Sequence, residues 1–224
     1  AGCGDKVRQF EQSFADYHNV LFAIATTSGT TALHTALEAL GVGPGDEVIV
    51  PDLTFISTAS TVMQTGARVV FCDIDEDTFN ISVADLERRI TPRTKAVIIV
   101  HLYGAPADIR SVLDLTRRYN LLLVEDSAQA HGARFDNQLV GTFGDVGCFS
   151  FYQSKNMSCG EGGMIITNNE ALNQRGRSLS RHGLIGDDLT IYDYDKLGYN
   201  YAMTELQAAI GLIQLKKLDQ MNSQ

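Results

Sequence analysis

Apolar positions along the chain follow two periods, one helical and one of short unbroken runs. In DKVRQFEQSFADY (5–17), Val7, Phe10 and Phe14 recur at helical spacing, which predicts an amphipathic helix. An apolar run at 20–25 then ends in TTSGTT. A helical pattern follows (Ala32, Leu33, Ala36, Leu37, Leu40), closed by Gly41, and a Pro44-Gly45-Asp46 turn leads into the short run EVIVP. Strand, glycine turn, helix, strand is a βαβ unit. The alternation continues with a helix over 54–66 ended by Gly66 and a strand over 67–75. Next come a helix over 82–90 with Ser82 as N-cap, a nearly all-apolar strand over 95–104 and a helix over 109–120. LLLVEDSAQA (121–130) opens with a buried strand. GDVGCFSFYQSK and GGMIITN each add another, Asn169 to Arg181 reads as a helix, and a last helix runs from about Thr204 to Leu218.

Runs that are apolar throughout, rather than alternating, fit a parallel sheet covered on both faces. The predicted fold is α/β: a three-layer α/β/α sandwich around a mostly parallel sheet of about seven strands, in one domain. In such sheets ligands bind beyond the carboxyl ends of the strands. The polar residues there are Thr27 to Thr31, Pro51 to Phe55, His101-Tyr103-Gly104, Glu125 to Gln129 and Ser150 to Lys155.

Composition excludes several classes. The 224 residues carry a net charge of −9 with no basic run, which argues against nucleic-acid binding. No apolar run is long enough to span a bilayer, and nothing reads as a signal peptide. The four cysteines, Cys3, Cys72, Cys148 and Cys159, are scattered without metal-like or disulfide-like spacing, as expected of reduced thiols in the cytoplasm. Both ends read as cut, because Ala1 is not an initiator Met and Gln224 directly follows a helical pattern.

Three features carry chemistry. SGTTAL opens a helix, where backbone N–H groups favour phosphate, although a Ser or Thr N-cap needs no ligand. Asp126 ends a very apolar strand. It is either a loop-capping residue or is aimed at a positive ligand group, and it should point to the opposite side from Glu125. Lys155 sits between VGCFSFY and CGEGGMIIT. An exposed loop lysine is the usual case, but partial desolvation between two such segments would make the amine nucleophilic. A lysine, an acidic partner and a phosphate cradle are together the parts that pyridoxal 5′-phosphate (PLP) needs.

The motifs SGTTALHTALEALGVGPGDEVIVPDLTFISTAS, HLYGAPADI, VEDSAQAHGA, GTFGDVGCFSFYQSKNMSCGEGGMIITN and LGYNYAMTELQAAIGLIQLKKLD stand in that order. From about residue 5 to 222 the chain thereby resembles the large domain of the DegT/DnrJ/EryC1/StrS sugar aminotransferases, fold-type I PLP enzymes. The resemblance implies Lys155 as the Schiff-base lysine, where related sugar dehydratases carry histidine. It implies Asp126 as the partner of the pyridinium nitrogen, Gln129 beside the ring and its 3′-oxygen, and Phe55 stacked on the ring. Thr30, Thr31 and Ser150 would bind the phosphate. Asn200 would reach the phosphate of a neighbouring subunit's cofactor, which implies a homodimer with shared sites. His182, in RHG, falls in a segment often near the active site. Where the family often has arginine after GYNY, this chain has Ala202. Family chains also begin earlier and continue into a small C-terminal domain, so residues 1–224 would be the PLP-binding large domain alone, with apolar surface left uncovered.

The implied reaction moves an amino group from an amino acid, glutamate by expectation, to the cofactor, giving the pyridoxamine form (PMP). It then passes to a keto-deoxy sugar attached to a nucleotide. Two alternatives stand beside it. One is a truncated domain that binds PLP or self-associates without turnover. The other is an aminocyclitol- or aminobenzoate-type synthase of the same fold. A Rossmann dehydrogenase is disfavoured by the missing G-x-G-x-x-G.

Overall fold

In the computed structural model, which describes residues 4–185, 193, 194 and 196–224, helix and strand alternate along the chain. The first half runs α1 (Asp5–His18), β1 (Phe22–Thr26), α2 (Gly29–Ala39), β2 (Glu47–Pro51), α3 (Ser57–Gln64), β3 (Arg68–Cys72), α4 (Val83–Arg89) and β4 (Thr94–Val100). A 3₁₀ turn (Leu102–Gly104) leads into α5 (Ile109–Tyr119), β5 (Leu122–Asp126), the two-residue strands β6 (Arg134–Phe135) and β7 (Gln138–Leu139), β8 (Val146–Ser150) and β9 (Gly163–Thr167). The last helices are α6 (Glu170–Ser180), α7 (Glu205–Leu215) and α8 (Leu218–Asn222).

Seven strands form one sheet in the order β1-β9-β8-β5-β4-β2-β3, and β6 pairs only with β7. All neighbours in the large sheet are parallel except β9, which is antiparallel to both β1 and β8. Because successive side chains point to opposite faces, the buried runs split cleanly. Ile24, Val48, Val50, Ile98, Val124 and Cys148 face a core shared with α2, α3 and α6. Ile49, Val97, Ile99 and Leu123 face α5 and its neighbours on the other side. On that second side, nearer β1, Phe10 and Phe14 of α1 interlock with Phe149 and Phe151 at ring separations of 5.1–5.5 Å. Burying each such ring contributes about 2–3 kcal/mol.

The β1 edge is closed by charge rather than by another strand. Glu11 of α1 accepts the Ala25 N–H at 2.8 Å, Arg177 of α6 donates to the Ala23 carbonyl at 2.8 Å, and the two side chains pair at 2.9 Å. Edge groups satisfied this way cannot template pairing with another chain.

Several boundaries differ from the sequence reading. The helix expected over 54–66 begins only at Ser57, because Thr54–Ile56 form a turn that leaves Phe55 outside it. The strand expected over 67–75 stops at Cys72, where the Asp85 carboxylate takes the Asp73 N–H at 2.8 Å. The strand expected to 104 stops at Val100, and Tyr103 adopts a left-handed φ of 53°. The helix expected over 204–218 divides at Lys216–Lys217, where a tight Lys217 N–H to Gln214 carbonyl bond turns the chain and buries Leu218. The β6–β7 hairpin, turned at Asp136-Asn137 with φ of 48° and 64°, has strands too short to leave a periodic signal.

Candidate active site

The alternation that sorts the core also assembles the site. Val124 and Cys148 face α2 and α3, so two residues on, Asp126 and Ser150 emerge on that same face at the strand ends. Glu125 points the other way, as expected. It is fully buried, and its carboxylate accepts the N–H groups of Gly141, Phe143 and Gly144, each at 2.7 Å. It also accepts from His101 Nε2 at 3.0 Å. His101 Nδ1 takes the Ala107 N–H, so the proton shared with Glu125 must lie on Nε2.

Beyond the strand ends lies a cavity of about 440 Å³. Its walls include Asp126, Ser150, Lys155, Phe55, Gln129 and the first residues of α2. Asp126 lies at its base, buried. Burial pushes its carboxyl above the usual carboxylate range, against the opposing pull of the Thr58 hydroxyl, the Ala128 N–H and the Lys155 charge. Thr58 Oγ1 donates to Asp126 Oδ2 at 2.9 Å, Ala128 N–H donates to Oδ1 at 3.2 Å, and Thr54 meets the Thr58 hydroxyl at 2.8 Å. A desolvated carboxylate of this kind favours a cation placed against it.

The α2 N-terminus forms another wall. Ser28 and Thr31 make a capping box. Ser28 Oγ accepts the Thr31 N–H, and Thr31 Oγ1 accepts the Ser28 N–H. That leaves the Gly29 and Thr30 amides, which have no acceptor among the described residues, facing the cavity. The helix end can come this close to β8 only at a glycine, since a Cβ on Gly29 would lie 2.7 Å from that of Ser150. The Thr30 hydroxyl meets Ser57 Oγ at 2.7 Å. Free amides at a helix start are an anion site.

Lys155 is half-buried on the loop between β8 and β9 and lines the cavity. Phe55 is 65% exposed over the opening, so one face of it is available for stacking. Gln129 turns its Oε1 to the Tyr103 N–H at 2.9 Å, and its NH₂ has no acceptor among the described residues. A second depression of about 680 Å³, lined by Tyr103, His131 and Asn156, shares Gln129, Ser154 and Lys155 with the first.

Not every expected residue converges. Thr31 does not line the cavity, because its hydroxyl is held by Ser28 and Thr27. Asn200 is exposed and bridges to Arg181, away from the cavity of its own chain. His182, with φ of 62°, is likewise outside it. Ser57 and Thr58, unlike Thr54, went unrecognised in the sequence. The signal was present, since both sit in the first turn of α3, but it read as simple helix periodicity. A cation seat, an anion cradle and an amine thus surround one cavity, and they fit the pyridinium, phosphate and aldehyde of PLP. Among the described residues no group of three or more His, Cys, Asp or Glu could hold a metal ion, and no helix is long and apolar enough to cross a membrane.

Comparison with known proteins agrees with this chemistry. The model of the DegT/DnrJ/EryC1/StrS aminotransferase family matches residues 1–224. The chain is 49% identical over 217 residues to the GDP-perosamine synthase of Caulobacter vibrioides, a match covering 97% of this chain and 58% of that protein. Among solved structures, DesV of S. venezuelae in complex with a ketimine intermediate matches at a TM-score of 0.93 and 41% identity, covering 98% of this chain and 58% of that one. NtdA from Bacillus subtilis with bound cofactor PMP matches at 0.91 and 36% identity, covering 98% and 49%. The chain spans less than two thirds of the length of each of these relatives.

Proposed function

Because the chain belongs to the DegT/DnrJ/EryC1/StrS aminotransferase family, whose cofactor is PLP, we propose that residues 1–224 are the cofactor-binding large domain of a sugar-nucleotide aminotransferase. The amino donor is an amino acid, glutamate, and the acceptor is a keto-deoxy sugar linked to a nucleotide. The enzyme works as a cytoplasmic homodimer in which Asn200 of each chain reaches the partner's cofactor. Its exposure away from its own cavity is compatible with that role. The single observation that carries the reading is the pairing, across one cavity, of a half-buried lysine with a buried aspartate.

The bound cofactor supplies an electron-accepting ring and an aldehyde that can carry an amino group. The remaining roles belong to the chain. Gly29, Thr30 and Ser150 would hold the phosphate, and Phe55 would cover the ring. Gln129 would donate its NH₂ towards the ring oxygen. Asp126, kept in place by Thr58 and Ala128, would stabilise a proton on the ring nitrogen. Lys155 would bond the aldehyde, and as a free amine it would be the base that removes and returns a proton at the substrate carbon.

The test is transfer from nitrogen-labelled glutamate to nucleotide-linked keto sugars, followed by mass spectrometry of the sugar. Label in the sugar is expected from the unsubstituted protein and none from Lys155→Ala. Labelled product undiminished in Lys155→Ala would refute the assignment of the base.

A further inference from the structure

The loop that carries Lys155 is long and partly exposed, yet the residue after the lysine is tied down at every polar atom of its side chain. Asn156 Nδ2 donates to the His131 carbonyl and to Asn222 Oδ1, both at 2.9 Å. Asn156 Oδ1 lies 2.9 Å from His131 Nδ1. Asn222 Nδ2 closes the ring with a second bond to the His131 carbonyl, at 2.8 Å. A carbonyl can only accept, so Nδ2 of Asn156 must face it and Oδ1 must face the imidazole. The His131 proton therefore sits on Nδ1.

The clamp joins two parts of the site. His131 lies five residues after Asp126, past a turn in which Ala130 N–H bonds the Ser127 carbonyl and Ser127 N–H bonds the Cys148 carbonyl. His131 is 1% exposed, and its ring packs against Phe149 and Phe151, the residues around the end of β8 that lead to Lys155. The segment bearing Asp126 and Gln129 is thus fastened to the loop bearing Lys155, with Asn222 of α8 as the third member. Burial holds the imidazole at a pKa of about 3, so it stays a neutral Nδ1 donor across the working range of pH.

Resting on the cofactor reading above, we propose that His131, Asn156 and Asn222 form a clamp that sets where the Lys155 amine stands relative to Asp126, which makes His131 and Asn156 positioning residues of the reaction. They hold the amine without themselves touching the cofactor.

The clamp makes a selective prediction. PLP binds through its phosphate, its ring and a bond to Lys155, whereas PMP cannot bond to the lysine. Loss of the clamp should therefore weaken the first ligand and spare the second. For Asn156→Ala and His131→Leu the affinity for PLP is expected to fall about tenfold, the equivalent of one or two hydrogen bonds. Affinity for PMP should stay within about twofold of the unsubstituted protein. His131→Asn places an amide donor where Nδ1 stood, so it should recover most of the loss, whereas His131→Gln, whose amide mimics the other ring nitrogen, should not. Amide hydrogen exchange in the cofactor-free protein gives a second readout. Protection of the Lys155 amide, which donates to the Tyr152 carbonyl at 2.9 Å, should drop in Asn156→Ala while that of β5 holds. Equal losses for both ligands, or exchange at Lys155 unchanged by Asn156→Ala, would overturn the clamp. Failure of the unsubstituted protein to bind either ligand would instead overturn the cofactor reading, and the exchange result would still decide the clamp.

Discussion

Asp126 is costly to this protein when nothing positive faces it. Its carboxyl is buried and raised above its usual range. In the unfolded chain it would be ionised at neutral pH, while the folded site resists that charge, so it lowers the stability of the cofactor-free fold there and the penalty lifts as pH falls. Asp126→Asn removes the charge at nearly constant shape. It is expected to raise the melting temperature of the cofactor-free protein by a few degrees and to abolish most of the further rise that PLP gives. Paired melting curves with and without cofactor check both signs. Thr58→Val, which strips the hydroxyl donor from Asp126, should weaken cofactor binding about tenfold, and Thr58→Ser should restore it. The convergence of Lys155 and Asp126 on one cavity was legible from their places at a loop and a strand end. Thr58 was not, because a threonine in a helical pattern gives no sign that its hydroxyl crosses to another element. The capping role of Thr31 was hidden for a related reason, since both a cap and a phosphate ligand call for a hydroxyl at the same helix start.

At the scale of elements, the site depends on how closely the α2 turn can approach β9. A methyl group on Gly163 would stand 2.1 Å from the Ser28 carbonyl oxygen, and backbone cannot yield as a side chain can. Gly163→Ala is expected to cost about 3 kcal/mol of stability and to weaken phosphate anchoring, since the turn it displaces starts the helix that presents Gly29 and Thr30. A shift in urea midpoint together with weaker PLP binding would confirm this, and an unchanged midpoint would contradict it. Most strands were readable because runs such as VIIV and LLLV have no polar face. The antiparallel direction of β9 was not, because a fully buried strand looks alike whichever way it runs. The division between α7 and α8 was hidden by an apolar stripe that continues past the break.

At the scale of the whole molecule, acid should unfold the protein in two stages. Burial holds His18 at about 4 and His131 at about 3, and also lowers His34. Below their ordinary value of 6.5 the unfolded histidines bind protons that the folded ones refuse. Stability should therefore fall as pH drops from about 6.5 towards 4, before the well-paired carboxylates are lost. Asp85, held at about 2 by the Asp73 N–H and its two arginines, fails only at lower pH. Urea midpoints measured against pH should decline through the first window, and His18→Phe should flatten that decline. A flat profile from 6.5 to 4 would contradict it. The proposed homodimer makes a separate prediction. If Asn200 serves the partner's cofactor, mixing Lys155→Ala with Asn200→Ala chains creates hybrids in which one site carries both lesions and the other neither. Activity that returns on mixing supports shared sites, and no recovery argues that each site is built from one chain.

The central claim, that Lys155 bonds the cofactor across the cavity from Asp126, is tested most directly by reducing the PLP-loaded protein with borohydride and locating the pyridoxyl group by peptide mass spectrometry. The account predicts the modification on Lys155 and its disappearance in Lys155→Ala. A pyridoxyl group on another lysine, or one that persists in that variant, would contradict it.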